Sequence, residues 1–268
     1  MLPGDFSIDS SESEKHTALV RLEGVISDQS EASARLVVKG LKAAFADKDS
    51  AAVVLKINSP GGSPVQAGEI HDEILRLRNK YPDIPLYTVI EDICASGGYY
   101  VAVASDRIFA NRASIVGSIG VLMNSFGFVD AMEKVGIQRR LLTAGEHKGF
   151  MDPFSPLTED AKSHLEGLLH TIHQQFVDVV KQGRGGRLSD DQDLFTGLVW
   201  TGQQGVELGL VDELASLGTV ARDIVKEQRV VDFTVSHSYV DRFSRSLGAS
   251  ISEPLVNQLR GESAFLLQ

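Results

Sequence analysis

Short apolar runs alternate with stretches of helical period through the first half of the chain, and few folds satisfy that order. Residues 17–26 alternate apolar and polar side chains as a strand does, and 31–45 carries apolar residues at helical spacing. Ala52-Val53-Val54-Leu55-Lys56-Ile57 is a β-branched run with the character of a buried strand. A Gly61-Gly62 turn follows, and 65–80 returns to the helical period. Leu86-Tyr87-Thr88-Val89-Ile90 predicts the next strand, 96–104 a small-residue helix and 106–110 a further short strand. The order β-α-β-α-β-α-β implies an α/β fold with a largely parallel sheet and right-handed crossovers.

The second half is less regular. After the glycine-punctuated Val116-Gly117-Ser118-Ile119-Gly120-Val121, residues 128–135 read as helix and 138–142 as extended chain. A long helix is predicted over 158–181, capped by Thr158, with Glu159 and Asp160 at the positive end of its dipole. Gly183-Arg184-Gly185-Gly186-Arg187 reads as a loop, 200–211 and 217–227 as helical pieces, and 230–235 as a strand. With no internal repeat and no linker, one domain is expected over 17–235. A flexible acidic leader (1–16) precedes it and a C-terminal helical extension or tail (236–268) follows.

Composition narrows the function classes. A formal charge of −10 argues against attraction to phosphate backbones, so nucleic acid is excluded as an expected partner. The lone Cys94 excludes an intramolecular disulfide and a cysteine-based zinc site. No apolar run reaches the roughly eighteen residues a spanning helix needs, and the leader has neither a basic start nor an apolar core. The chain as given is expected to be soluble; the leader reads equally well as a stalk behind an anchor lying outside the sequence.

The chemistry concentrates at Ala95-Ser96-Gly97-Gly98-Tyr99-Tyr100, directly after a strand. A serine on a tight, glycine-flanked strand-to-helix turn projects its hydroxyl and exposes the following backbone N–H groups, as an acyl-transfer nucleophile requires. Asn58-Ser59-Pro60-Gly61-Gly62-Ser63 ends the preceding strand. In a parallel sheet the two strand ends share one edge, so Gly61 or Gly62 together with Gly97 would make an oxyanion hole. Each turn alone also suits a purely structural role. A lone lysine, Lys148, lies in Ala144-Gly145-Glu146-His147-Lys148-Gly149.

These motifs, with Gly117-Ser118-Ile119-Gly120 between them, resemble in content and order the bacterial signal peptide peptidase A (SppA) family, including its SohB-type members, with a Clp/crotonase-like fold. The resemblance runs from about residue 17 to about 235. It implies a Ser/Lys dyad with Ser96 as nucleophile and Lys148 as base, Ser118 hydrogen-bonding the lysine amine, and no cofactor or metal. It further implies hydrophobic peptide substrates such as remnant signal peptides. A homo-oligomer is expected, in which the lysine can come from a neighbouring subunit, on the extracytoplasmic (periplasmic) side of the bacterial cytoplasmic membrane. Any membrane association would run through an anchor outside this chain. The related Clp proteases place a triad histidine after the serine, and residues 112–128 contain none. A lysine with a reference pKa near 10.4 serves as a base only where burial or neighbouring donors favour the neutral amine. Lys148 is therefore expected in an apolar, occluded site, with a basic limb in the pH–rate profile.

Other candidates carry less. Glu166, His170 and His173 fall at helical spacings but lack a metalloprotease signature, so a solvated helix face is expected. His147 reads as a bystander, and Asp106 and Asp152 as loop-positioning groups. Tyr99 and Tyr100 are expected in the core, while Phe126, Phe128 and Phe150 could line a groove. The rivals to a peptidase are a crotonase-type acyl-CoA hydratase or hydrolase and a non-catalytic oligomeric scaffold binding peptides or membrane proteins.

Overall fold

The computed structural model describes residues 15–236. The leader (1–16) and C-terminal extension (236–268) read from the sequence thus lie outside the described residues, except for residues 15, 16 and 236. In chain order the elements are β1 (His16–Glu23), α1 (Ala34–Ala46), β2 (Ser50–Ser59), α2 (Pro64–Lys80), β3 (Leu86–Ala95), α3 (Gly97–Ala102), β4 (Arg107–Ala110) and β5 (Ile115–Gly117). Then come α4 (Val129–Lys134), α5 (Glu159–Arg184), β6 (Val199–Thr201), α6 (Gly202–Glu207), β7 (Glu213–Leu214), α7 (Leu217–Thr219) with a π-helical continuation Val220–Val225, and β8 (Val230–Asp232).

The strands form one sheet in the order β6-β5-β3-β2-β1-β8, with β4 and β7 branching from β3. All pairings among the described residues are parallel except β5 with β6. This is the mostly parallel α/β architecture that the β-α alternation implied, and it is consistent with the Clp/crotonase-like fold that the family resemblance implied. Both faces of the central strands are covered, which is why their sequences are almost continuously apolar. Ala18, Val20, Leu22, Val53, Leu55 and Ile57 pack into the core that also holds Leu41, Ile70, Ile74 and Val101 of the helices. The alternate residues Leu19, Val54, Val89 and Phe109 meet Val220 on the opposite face.

β3 has an irregularity that shapes the site. Its pairing with β2 runs in register to Ile57↔Ile90 and resumes only at Ser59↔Cys94. Two steps along β2 therefore face four along β3, a bulge that divides the strand. Residues 87–90 pair with β4, and residues 93–95 pair with β5. The bulge thus gives one strand two successive neighbours.

Between β5 and α5 the chain leaves the sheet as an arm. α4 has no buried residue, and α5 buries Phe176, Val177, Val180 and Arg184 in its C-terminal half but only Ala161 near its start. Several sequence expectations change here. Residues 138–142 pair with no strand and are exposed, α5 continues through Gly183 to Arg184 before a 3-10 turn at Gly185–Arg187, and the stretch 200–211 begins with strand β6 rather than helix. The α6 start was marked by Thr201 and Gln204, which form a reciprocal capping box.

Candidate active site

Ser96 sits between the end of β3 and the start of α3 with φ 51° and ψ −124°. Backbone held at positive φ in a residue with a Cβ costs about 1–3 kcal/mol and persists only where the surroundings enforce it. Here the Ser96 N–H donates to Gly117 O at 2.9 Å, and α3 is anchored by the fully buried Tyr99, whose hydroxyl donates to Leu210 O at 2.8 Å. Burial pushes the Tyr99 phenol far up, so it stays a neutral donor. Ser118 has the same unusual backbone, φ 52°, and its N–H donates to Leu198 O at 2.7 Å. Because Ala95 pairs with Gly117 across β3 and β5, the two serines follow side by side. Neither hydroxyl has a hydrogen-bond partner among the described residues.

The Pro-Gly-Gly turn approaches from the end of β2. A methyl built on Gly61 would stand 2.7 Å from Gly97 N and 2.8 Å from Ser96 Cβ, and φ of 98° already disfavours a side chain there. The two glycines then divide their roles. The Gly61 N–H donates to Ser59 Oγ at 3.1 Å, so it is not free for an oxyanion. Gly62 bridges Ile26 in parallel fashion, with Ile26 N donating to Gly61 O and Ser63 N donating to Ile26 O, both at 2.8 Å. That pattern turns the Gly62 N–H away from Ile26, and a methyl on Gly97 would lie 3.3 Å from Gly62 N. Neither Gly62 N–H nor Gly97 N–H, the first amide of α3, has a partner among the described residues. Of the three glycines expected to supply donors, Gly62 and Gly97 are therefore available and Gly61 is the buttress.

These groups open into one cleft of about 580 Å³ that Ser96, Ser118, Gly62 and Gly97 line together. Pro64, Ala67, Val121, Leu122, Ile172 and Phe176 give it apolar walls. Tyr100, expected in the core, lines this cleft as well, with its ring 5.2 Å from Phe176 and 5.3 Å from His71. Burial, assisted by nearby Asp72, holds its phenol above the ordinary range.

Lys148 is not part of it. The lysine lies on an exposed turn of the arm, outside the residues that line the cleft, so the apolar, occluded setting expected for it is not met among the described residues. His147 lines a separate arm pocket with Phe150, Asp160 and His164. Phe126 and Phe150 line another, and Phe128 stacks on Phe154. Asp152 organises the arm instead: the Ser155 hydroxyl and the Arg139 guanidinium, assisted by the Phe154 N–H, hold its carboxyl below the usual range. Asp106 accepts from Arg78 and from Leu86 N at the far end of β3. Glu166 and His170 are exposed, and among the described residues no cluster of three or more His, Cys, Asp or Glu could hold a metal ion. His173 is the exception to the solvated face, with Nε2 3.2 Å from Ile119 O, which ties α5 to the segment after Ser118. Its helical spacing gave no sign of this, nor did anything in the sequence mark Thr196 and Gly197 as cleft residues.

The profile of peptidase family S49 matches residues 78–231, which hold Ser96, Ser118 and Lys148. A signal peptide peptidase SppA of Enterococcus faecium is 30% identical over 237 residues, covering 85% of this chain and 68% of that protein. Protease SohB of Haemophilus influenzae is 30% identical over 195 residues, 72% of this chain and 54% of that protein. A protein of Brucella abortus named as the Na(+)/H(+) antiporter NhaA is 45% identical over 182 residues, 68% of this chain. The matching segment spans only 25% of the Brucella protein. Among the described residues of this chain no helix is long and apolar enough to cross a membrane.

Proposed function

The chain belongs to peptidase family S49, and from that membership we propose that it is a serine endopeptidase cleaving hydrophobic peptides through an acyl-enzyme on Ser96. The observation that carries the reading is the strained Ser96 turn beside two amides, Gly62 N–H and Gly97 N–H, that have no partner among the described residues. Hydrogen-bond donors fixed before reaction stabilise a developing oxyanion at no reorganisation cost, and removing one such donor typically costs a factor of about 10²–10³ in rate.

In the proposed sequence, Ser96 Oγ attacks the scissile carbonyl carbon while the uncharged Lys148 amine takes its proton. The tetrahedral oxyanion rests on Gly62 N–H and Gly97 N–H. The C–N bond then breaks, the leaving amine receives the proton from Lys148, and water hydrolyses the ester by the same path in reverse. Ser118, beside Ser96, is the natural partner for the lysine amine. The apolar walls of the cleft favour segments with apolar side chains, which fits signal peptides, the substrate in the name of the Enterococcus relative, and remnant signal peptides among them.

Lys148 reaches Ser96 in this reading by coming from a second copy. The exposed arm that carries it is studded with uncovered apolar side chains, Leu122 at 81% exposure, Phe126 at 78% and Leu142 at 95%, and patches of this kind mark interaction sites. The functional unit is then a homo-oligomer. An extracytoplasmic location at the bacterial membrane goes with the substrate class.

Labelling with a fluorophosphonate tests the assignment. The wild type is expected to be modified at Ser96 and to cleave apolar peptides. Ser96→Ala abolishes both, Lys148→Ala reduces both by at least about 10³-fold, and each variant keeps the wild-type melting profile. Substantial turnover in folded Ser96→Ala overturns the reading.

A further inference from the structure

The bulge in β3 is clamped from the end of β2 by a residue to which the proposed chemistry gives no part. Asn58 Oδ1 accepts from Ile93 N at 3.3 Å while its Nδ2 donates to Asp92 Oδ2 at 3.0 Å. Its own carbonyl accepts from Gly24 N at 2.9 Å, so the residue is itself held. The other side of the bulge is tied by Ser114 Oγ, which donates to Glu91 O, and by the Lys56–Glu91 ion pair.

We infer that Asn58 is a positioning residue for Ser96, acting through the β3 bulge. The inference rests on Ser96 being the nucleophile. Side chains alternate faces along a strand, so a slip of one residue would send every group beyond it to the opposite face. The segment beyond the bulge is Ile93-Cys94-Ala95, whose pairing with Ile115-Val116-Gly117 places Ser96 beside Ser118 and directs Ser96 N–H to Gly117 O. Asn58 spans the stretch between Ile57↔Ile90 and Ser59↔Cys94 where strand pairing lapses. An amide suits the task because it accepts from a backbone N–H and donates to a carboxylate at once. Ser59, the next residue, holds Gly61, so consecutive side chains of one motif set the nucleophile and the donors opposite it.

The test compares four forms of the full chain in saturating fluorophosphonate: wild type, Asn58→Leu, Asn58→Asp, and Asn58→Asp combined with Asp92→Asn. Asn58→Leu removes both bonds at similar volume and is expected to lower the saturating labelling rate about tenfold or more, with the half-saturating concentration unchanged. Asn58→Asp keeps the acceptor for Ile93 N but faces Asp92, and falls between. The double variant restores a donor–acceptor pair in swapped order and returns to within about threefold of wild type. A residue that only stabilised the fold would move the melting temperature and leave the saturating rate of the folded protein alone. Wild-type labelling at Ser96 with an unchanged rate in folded Asn58→Leu overturns the inference. So does a double variant no faster than Asn58→Asp, a comparison that decides even where Asn58→Leu does not fold. Absence of Ser96 labelling in the wild type instead overturns the nucleophile assignment, and the inference with it.

Discussion

A methyl group at Gly61 has nowhere to go. Besides Gly97 N and Ser96 Cβ, it would stand 2.9 Å from Ala95 O, and two of these three neighbours are backbone that a rotamer change cannot move. Gly61→Ala should therefore separate the turn from Ser96 by several tenths of an ångström or more and lower the labelling rate of Ser96 by about 10²-fold. Gly68, inside α2, offers the control, since nothing lies within 4 Å of its added Cβ. Gly68→Ala should leave the rate alone and raise stability by about 0.5–1 kcal/mol, because alanine loses less backbone entropy in a helix. Parallel labelling and urea unfolding of the two variants check both statements. The same residues show how far the site was legible. Ser96, Ser118 and the two glycine turns were visible because their backbone needs write themselves into local composition. Which glycine keeps a free N–H was not visible, since that depends on Ser59 Oγ and on Ile26, a residue from a different strand connection. The place of Lys148 was equally hidden, because no local pattern says where an exposed turn will dock.

Among the elements, α5 is pinned where its sequence looked like a loop. Arg184 is 1% exposed; its guanidinium donates to both Asp212 oxygens, at 2.8 and 2.9 Å, and to Gly209 O at 2.7 Å. Asp212 also accepts from Ile108 N at 2.7 Å, so one carboxylate joins α5, β4 and the chain before β7. Burial alone would raise the Asp212 pKa, but Arg184, the Ile108 N–H and Arg187 outweigh it and hold the carboxyl below its usual range. A folded-state pKa below the unfolded one means that the unfolded chain binds more protons in the window between them, so stability rises with pH there. The Asp212 contribution is thus complete above the ordinary carboxylate range and is lost as pH falls through the folded value. Arg184→Met should cost about 3–5 kcal/mol at neutral pH by stranding the carboxylate, and should flatten the acid limb of stability against pH. Urea titrations across that range provide the measurement. The loop expectation failed because glycine content at 183–187 was weighed without this partner, and Gly183 is there for packing: a methyl on it would stand 2.3 Å from Val103 O. The central strands were legible from their apolar runs and the start of α5 from Thr158, whose hydroxyl does accept from Ala161 N at 3.2 Å. β6 and β7 were not, because strands of three and two residues carry too little pattern to separate from a helix.

For the whole molecule, the arm presents a surface that the described residues leave uncovered. Burying each of its large apolar side chains against another body would stabilise by about 1.5–3 kcal/mol. A net charge of −10 makes separate copies repel one another, so the proposed association would have to come from this local patch rather than from general stickiness. The same arm carries Lys148, and the cleft with Ser96 opens beside its root at Val121 and Leu122, so under the proposed shared site a loss of assembly is expected to be a loss of activity. Leu142 isolates the effect, since at 95% exposure it contributes almost nothing within its own chain. Leu142→Asp should leave the unfolding free energy of the single chain within the small range of surface substitutions, about ±0.5 kcal/mol. In sedimentation velocity it should shift the particle towards monomer and, in parallel, reduce peptide cleavage at least about tenfold by keeping the lysine from its partner serine. Mixing Ser96→Ala with Lys148→Ala supplies the complementary reading, because each protein brings the group the other lacks and cleavage should reappear as the two exchange subunits. A wild type that sediments as a monomer at full activity, or an inactive pair that stays inactive after exchange, would place the base within the same chain and require the arm to fold back over its own cleft.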